Sequence, residues 1–310
     1  MSLAFVFPGQ GSQSVGMLRE LALEHPEVSQ TFAEASSALG YDLWAIVDQG
    51  PEERLGQTEI TQPAMLAAGV AVWRAWRAAG GAQPAMMAGH SLGEYSALVC
   101  AGAIEFSDAV RLVADRARYM QEAVPAGRGG MAAVLGIADD AVRALCAQAA
   151  EGEVLEPVNY NSPGQVVIAG TASAIARAVA RAKELGAKRA LALPVSVPSH
   201  CSLMAPAAAR MAERLKTINV RALGVPVIHN VHVRAESDSN AIRDALVRQI
   251  AAPVRWVETI EKMVQDGARS FIECGPGKVL AGLNKRINRD VACVCVQDPQ
   301  SLRAALASAK

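Results

Sequence analysis

Net charge is the first thing this sequence lacks. Its 310 residues carry 30 Lys and Arg against 30 Asp and Glu, a formal charge of zero with the histidines neutral. A protein held to a nucleic-acid backbone by charge carries a clear basic excess, and a disordered charged tail lies far from balance. Neither describes this chain as a whole. Regular cysteine spacing is also missing: residues 100, 146, 201, 274, 293 and 295 form neither a C-x-x-C pair nor a framework. A chain this long needs no disulfides for stability, so a reduced, cytoplasmic setting is expected. The start, MSLAFVFPGQGSQ, carries no basic leader and runs into Pro-Gly, which reads as a buried strand rather than a signal peptide. Unbroken apolar spans are absent as well. Residues 157–176 and 190–209 are uncharged, but Pro163, Gly164, Pro194, Pro198 and Pro206 break them and polar side chains interrupt them, so no membrane span is expected. Hydrophobic residues, by contrast, make up 51% against 19% charged, the composition of a core-forming globular chain.

Short apolar runs alternate with Ala-rich amphipathic stretches. LAFVF, AMMAG, PVIHNV and SFIEC are each followed by a helix-like segment, the last three beginning after Ser91, around 240 and 256, and near 278. That alternation predicts an α/β layer architecture with a mostly parallel sheet. Between about 125 and 198 the order changes. GGMAAVLGI, a helix, EPVNYNS, QVVIAG, a second helix and KRALALPVS give the β-α-β-β-α-β order of a ferredoxin-like unit. PAGRGG before it and Pro194 and Pro198 after it serve as hinges. The expected organisation is a main domain of residues 1–124 and 199–310 with a small inserted domain of residues 125–198.

Gly89-His90-Ser91-Leu92-Gly93 fits G-x-S-x-G between a predicted strand and a predicted helix. Such a turn lifts the serine hydroxyl out of the sheet, with helix N–H groups placed to meet an oxyanion. The alternative is a glycine-rich turn with Ser91 as an ordinary helix cap. A nucleophilic serine needs a base. Of five histidines, His25 lies in a polar helical stretch, His90 would point away from Ser91, and His229 and His232 have too few acidic or cysteine neighbours to suggest zinc and read as structural. His200, in Val197-Pro198-Ser199-His200, lies at the hinge where a cleft forms, though it also fits a polar loop. Gly9-Gln10-Gly11-Ser12-Gln13 follows the first strand where open sheets place ligands, but lacks the Walker lysine and the dinucleotide spacing. It could present Gln10 as an oxyanion donor.

In order and spacing, PGQGSQ, GHSLGE at 89–94, Arg116, NYNSPGQVVIAG at 159–170, VPSH at 197–200 and ECGPGKVL at 273–280 resemble the malonyl-CoA:acyl carrier protein transacylase family. The resemblance spans nearly the whole chain and extends to the acyltransferase domains of fatty acid and polyketide synthases. It implies an α/β-hydrolase-like main domain and transfer of malonyl from malonyl-CoA to the phosphopantetheine thiol of acyl carrier protein through a malonyl-serine. Ser91 would be acylated, His200 would be its base, and Gln249 would orient His200 through its backbone carbonyl. Backbone N–H groups of Gln10 and Leu92 would form the oxyanion hole. Arg116 would bind the malonyl carboxylate, Gln62 and Met120 would line the acyl pocket, and Asn161 would lie on the small-domain side of the cleft. Read without the resemblance, Arg116 fits a helical surface pair with Asp115 or Glu122. Neither cofactor nor metal is implied, and a monomer is expected. The open alternatives are a serine esterase or thioesterase, with water as acceptor, and a carrier-binding subunit of a larger complex.

The zero net charge conceals a division. Residues 1–124 carry 7 basic and 14 acidic side chains, 125–199 carry 7 and 6, and 200–310 carry 16 and 10, giving −7, +1 and +6. CoA is polyanionic and carrier proteins of this kind are usually acidic. Docking is therefore expected on Lys285, Arg286 and Arg289, with Lys188 and Arg189 across the cleft; a solvated helix face is the alternative.

Overall fold

The computed structural model describes residues 2–195 and 197–309. Ser196, the last residue of the predicted strand KRALALPVS, lies outside them. The chain begins with β1 (Ser2–Phe7), whose apolar run is buried from Leu3 onward, as a parallel strand covered on both faces requires. Five helices follow: α1 (Arg19–Glu24), α2 (Pro26–Leu39), α3 (Leu43–Gln49), α4 (Glu52–Leu55) and α5 (Thr58–Ala78). Next come β2 (Met86–Gly89), α6 (Gly93–Cys100) and α7 (Phe106–Ala123).

The segment between the expected hinges forms its own sheet. It runs β3 (Gly129–Leu135), α8 (Asp139–Ala150), β4 (Leu155–Ser162), β5 (Gln165–Thr171), α9 (Ala172–Arg181) and β6 (Arg189–Ala192). Its four strands lie in the order β4-β5-β3-β6, and every neighbouring pair is antiparallel. Residues alternate along β3. Ala132 and Val134 join Leu145, Ile168 and Ile175 under the helices, whereas Met131 faces Val158, Val167 and Cys201 on the other side. β6 covers only four residues, short of the strand read from KRALALPVS.

After a 3₁₀ turn at Ser202–Met204 come α10 (Ala205–Leu215), β7 (Val227–Ile228), α11 (Ser239–Ile250), α12 (Trp256–Gln265), β8 (Ala268–Cys274), α13 (Val279–Ile287), β9 (Ala292–Val296) and α14 (Pro299–Ser308). The first sheet has the order β7-β2-β1-β8-β9, parallel throughout. β9, an edge strand, is an addition to the expected set, and β7 is only two residues of PVIHNV. Phe5 packs edge-on against Trp73 and Trp76, at 5.3 and 5.4 Å between ring centroids, fixing α5 on one face of this sheet. Phe7 pairs with Gly89 and Ala88 with Ile228, so β1, β2 and β7 end side by side. Three loops therefore meet at one carboxyl edge: PGQG, GHSLG and His229-Asn230. Open α/β sheets present ligand sites at that edge. Among the described residues no helix is long and apolar enough to cross a membrane.

Candidate active site

The turn from β2 to α6 places Ser91 at φ 50°, in the left-handed region that a side chain rarely occupies. Its two glycines are steric requirements. A Cβ on Gly89 would lie 1.8 Å from the Gly93 carbonyl carbon, and one on Gly93 would lie 2.0 Å from the Phe7 carbonyl oxygen. The helix cap is Leu92, not Ser91, and no side chain bonds there, so the reading of Ser91 as a capping serine does not hold. Two hydrogen bonds hold the strained backbone: the Ser91 N–H donates to Asn230 Oδ1 at 2.8 Å, and Gln249 Nε2 donates to the Ser91 carbonyl at 3.0 Å.

His200 reaches Ser91 from the chain that returns from the second sheet. Its Nε2 is 2.7 Å from Ser91 Oγ, and its Nδ1 is 2.7 Å from the Gln249 carbonyl. A carbonyl only accepts, so the proton sits on Nδ1 and leaves Nε2 to accept from the serine hydroxyl. Its backbone, at φ 67°, is tied to the Ile250 carbonyl at 3.1 Å. Burial, helped by the Arg116 cation, pushes the ring down to about 3, so it is a neutral acceptor at physiological pH.

Arg116, from α7, is buried at 1% exposure. It donates to Gln62 Oε1 at 2.7 Å, to Gln249 Oε1 at 3.1 Å and to Ser91 Oγ at 3.2 Å, and its guanidinium lies 5.4 Å over the Tyr95 ring. Its Nε has no partner. The surface carboxylates expected as its partners are otherwise engaged: Asp115 binds Arg118 and Arg214, and Glu122 binds Arg210. Among the described residues no carboxylate pairs directly with this cation. Desolvation lowers its pKa, the cost of holding a guanidinium away from water.

Gln10, Gln62, Ser91, Leu92, Arg116, Met120 and His200 all line one cavity of about 120 Å³, closed on the far side by Met131, Asn159, Leu193 and Val195. That is room for a small acyl group, well below the roughly 300 Å³ or more of a typical drug-sized pocket. The PGQG loop approaches closely because Gly9 lacks a side chain; a Cβ there would lie 2.5 Å from the His90 carbonyl oxygen. His90 turns away from Ser91, as expected, and its Nε2 donates to Asn161 Oδ1 at 2.8 Å, with the ring 5.5 Å from that of Trp256. Asn161 is thus buried against His90, and Asn159, two residues earlier on β4, is the one that lines the cavity.

His229 and His232 are not short of acidic partners. Because β7 pairs with β2, Glu94 of α6 lies under its end, with His229 Nδ1 2.7 Å from Glu94 Oε1, and His232 Nε2 is 3.1 Å from Glu236. Among the described residues no group of three or more His, Cys, Asp and Glu could hold a metal ion, and all six cysteines are free. Asn230 and Glu94 escaped the sequence reading because they meet Ser91 and His229 across more than a hundred residues. The five basic candidates are exposed and none lines the cavity. Lys285 and Arg289 share a surface hollow with Lys278, Arg286 donates to Gln165 of β5 at 2.5 Å, and Arg189 begins β6 with Lys188 just before it.

Residues 4–300 match the acyl transferase domain family. A malonyl CoA-acyl carrier protein transacylase of Salmonella typhimurium is 59% identical over 98% of both chains. An acyl carrier protein S-malonyltransferase of Vibrio cholerae superposes with a TM-score of 0.96 at 58% identity, covering 98% of this chain and 99% of that one. A malonyl-transacylase in complex with its type II PKS acyl-carrier protein gives 0.98 at 54%, covering 99% and 100%. The chain belongs to the acyl transferase domain family, on the branch of the malonyl CoA-acyl carrier protein transacylases.

Proposed function

We propose that this protein transfers the malonyl group from malonyl-CoA to the phosphopantetheine thiol of acyl carrier protein, supplying fatty acid or polyketide chain extension. The observation that carries the reading is a relay running from Ser91 Oγ through His200 to the Gln249 carbonyl, beside a buried guanidinium that pairs directly with no carboxylate among the described residues. Ser91 Oγ attacks the thioester carbon as His200 Nε2 takes its proton. The oxyanion is met by the N–H groups of Gln10 and Leu92. The C–S bond then breaks, and the CoA sulfur leaves with the proton from His200. In the second half the carrier thiol gives its proton to His200 and attacks the malonyl-serine ester, and Ser91 departs reprotonated. A thioester is consumed and a thioester is formed, so the exchange is reversible. Arg116 holds the free carboxylate as a bidentate pair, with Gln62 and Met120 shaping the pocket and Asn161 bracing the wall through His90.

The reading calls for no resident metal or cofactor, because serine, histidine and two amides supply every step. It takes residues 1–124 and 199–310 as an α/β-hydrolase-like domain, supported by the strand-turn-helix around Ser91. Residues 125–198 are taken as an inserted ferredoxin-like domain, supported by the strand order β4-β5-β3-β6. We further read the protein as a cytoplasmic monomer that docks the carrier on Lys285, Arg286 and Arg289, with Lys188 and Arg189 opposite. Charge reversal at Lys285 and Arg286 should raise the KM for carrier protein and spare malonylation by CoA; an unchanged KM removes the docking assignment.

Intact-mass measurement tests the central step. Malonyl-CoA should add one malonyl group to the wild type and none to Ser91→Ala, and phosphopantetheinylated carrier should discharge it. A labelled Ser91→Ala overturns the nucleophile. Hydrolysis of malonyl-CoA without carrier, at a rate matching transfer, would make water the acceptor.

A further inference from the structure

Beneath the elbow lies a carboxylate that the transfer steps do not use. Glu94 is fully buried at the first turn of α6. It accepts from three donors: His229 Nδ1 at 2.7 Å on one oxygen, and the Asn230 N–H and Gln249 Nε2, both at 2.9 Å, on the other. A buried carboxylate is costly unless its charge is balanced. His229 is a poor counter-ion, because its Nε2 is buried without a partner and an imidazolium would leave a second N–H unsatisfied there. The neutral ring, protonated on Nδ1, fits the contacts.

Among the described residues the one fully buried Lys or Arg is Arg116. It does not touch Glu94; the Gln249 amide stands between them, accepting from the guanidinium on Oε1 at 3.1 Å and donating to Glu94 on Nε2 at 2.9 Å. The same Gln249 amide holds the Ser91 carbonyl, and its backbone oxygen holds His200. Asn230, whose N–H is held by Glu94, uses its side chain on the Ser91 N–H and on the Gly89 carbonyl at 2.7 Å. One carboxylate thus stands behind the nucleophile's backbone, the base's anchor and the acyl-binding cation.

We propose that Glu94 is a positioning residue and the counter-charge of Arg116, set one amide away. This separation balances the buried guanidinium without a carboxylate bound to it, so the carboxylate of an incoming acyl group has only neutral partners to displace; a direct ion pair would have to be broken first. The argument for the electrostatic pair needs only the two buried charges and the amide between them, whereas its use in acyl selection rests on the transfer reaction proposed above.

Glu94→Gln can keep the hydrogen bonds. The new amide oxygen accepts from Asn230 and Gln249, and its NH₂ donates to His229 once that ring's proton moves to the free Nε2. The charge is lost and the proton on His229 Nε2 is left without a partner, a cost that the single and the double variant share and that the cycle therefore cancels. A thermal-unfolding cycle with Arg116→Met reads the coupling directly and independently of activity. The double variant should melt several degrees above the value obtained by adding the two single losses, because neither charge is then left alone. Should Glu94→Gln alone fail to fold, the double variant should recover folding. Additive losses, or a double variant no better than the worse single one, overturn the counter-charge. In the folded single variant, Ser91 malonylation should slow on the order of tenfold to a hundredfold through lost positioning, and Glu94→Ala should be slower still. A Glu94→Gln variant as fast as the wild type, with only Glu94→Ala slowed, would reduce Glu94 to a space-filling role. If the cycle shows coupling but the wild type is never malonylated, the pair stands and the transfer reading falls.

Discussion

The two walls of the cleft are built differently. The wall carried by the parallel sheet holds Ser91 between glycines that admit no Cβ, and both Ser91 and His200 sit in left-handed backbone conformations fastened by hydrogen bonds to Asn230, Gln249 and Ile250. The opposite wall, with Met131, Leu193 and Val195 beside Asn159, is mostly apolar side chain on and beside a four-stranded sheet whose last strand is short and largely exposed. Steps that form and break bonds require reacting atoms within a few tenths of an ångström, which over-determined backbone supplies. Acyl shape requires only a surface, which apolar side chains supply and can change.

The contrast can be broken most severely at Gly93. An added methyl must displace the Phe7 backbone, so Gly93→Ala should cost about 4 kcal/mol or more, or prevent folding, read as a loss of the cooperative melting transition. Arg116→Ala comes next. Malonyl transfer should fall on the order of a hundredfold or more, with acetyl transfer spared or raised, because only the malonyl group loses a buried charge partner; equal losses would remove the carboxylate role.

A pH effect follows from His200. Its folded pKa is depressed to about 3 against an ordinary 6.5, so both states are neutral above pH 6.5, and below it only the unfolded chain takes the proton. The stability it supports is therefore whole above 6.5 and declines down to about 3. Between pH 7.5 and 5, denaturant unfolding of the wild type should lose about 2 kcal/mol more than that of His200→Gln, which lacks the titrating group. Serine acylation should show no inflection near 6.5. The mildest break lies on the apolar wall: Met131→Ala should leave malonyl transfer near wild type and improve transfer of acyl groups one or two carbons longer by about tenfold at most. A large loss of malonyl transfer there would mean that this wall, too, positions the chemistry.

Much of this is legible in the amino-acid sequence, for physical reasons that differ by element. LAFVF and AMMAG announce buried strands by continuous apolar runs, and G-x-S-x-G announces a turn because its steric demand is local. His200 was reachable only as the histidine at a predicted hinge. The Gln249 carbonyl came from family resemblance, since every residue has a carbonyl and none advertises it. Glu94 and His229, 135 residues apart, left no pattern joining them, and the reading of His229 as short of acidic neighbours failed for that reason. Arg116 is the sharpest case. Beside Asp115 in sequence it fits a surface ion pair, yet α7 turns it inward and leaves Asp115 to Arg118 and Arg214.

Periodicity, apolar runs and glycine spacing act over a few residues, so the α/β class, the strand-turn-helix at Ser91 and the change of pattern after residue 124 were written in the chain itself. The pairing of β7 with β2 and the return of the chain through His200 belong to the tertiary structure. They bring Asn230, Gln249 and Glu94 under one serine, and they decide which arginine is buried with its nearest balancing carboxylate one amide away. Hydrogen-bond geometry and desolvation depend on neighbours distant in sequence, and only the folded chain supplies those neighbours.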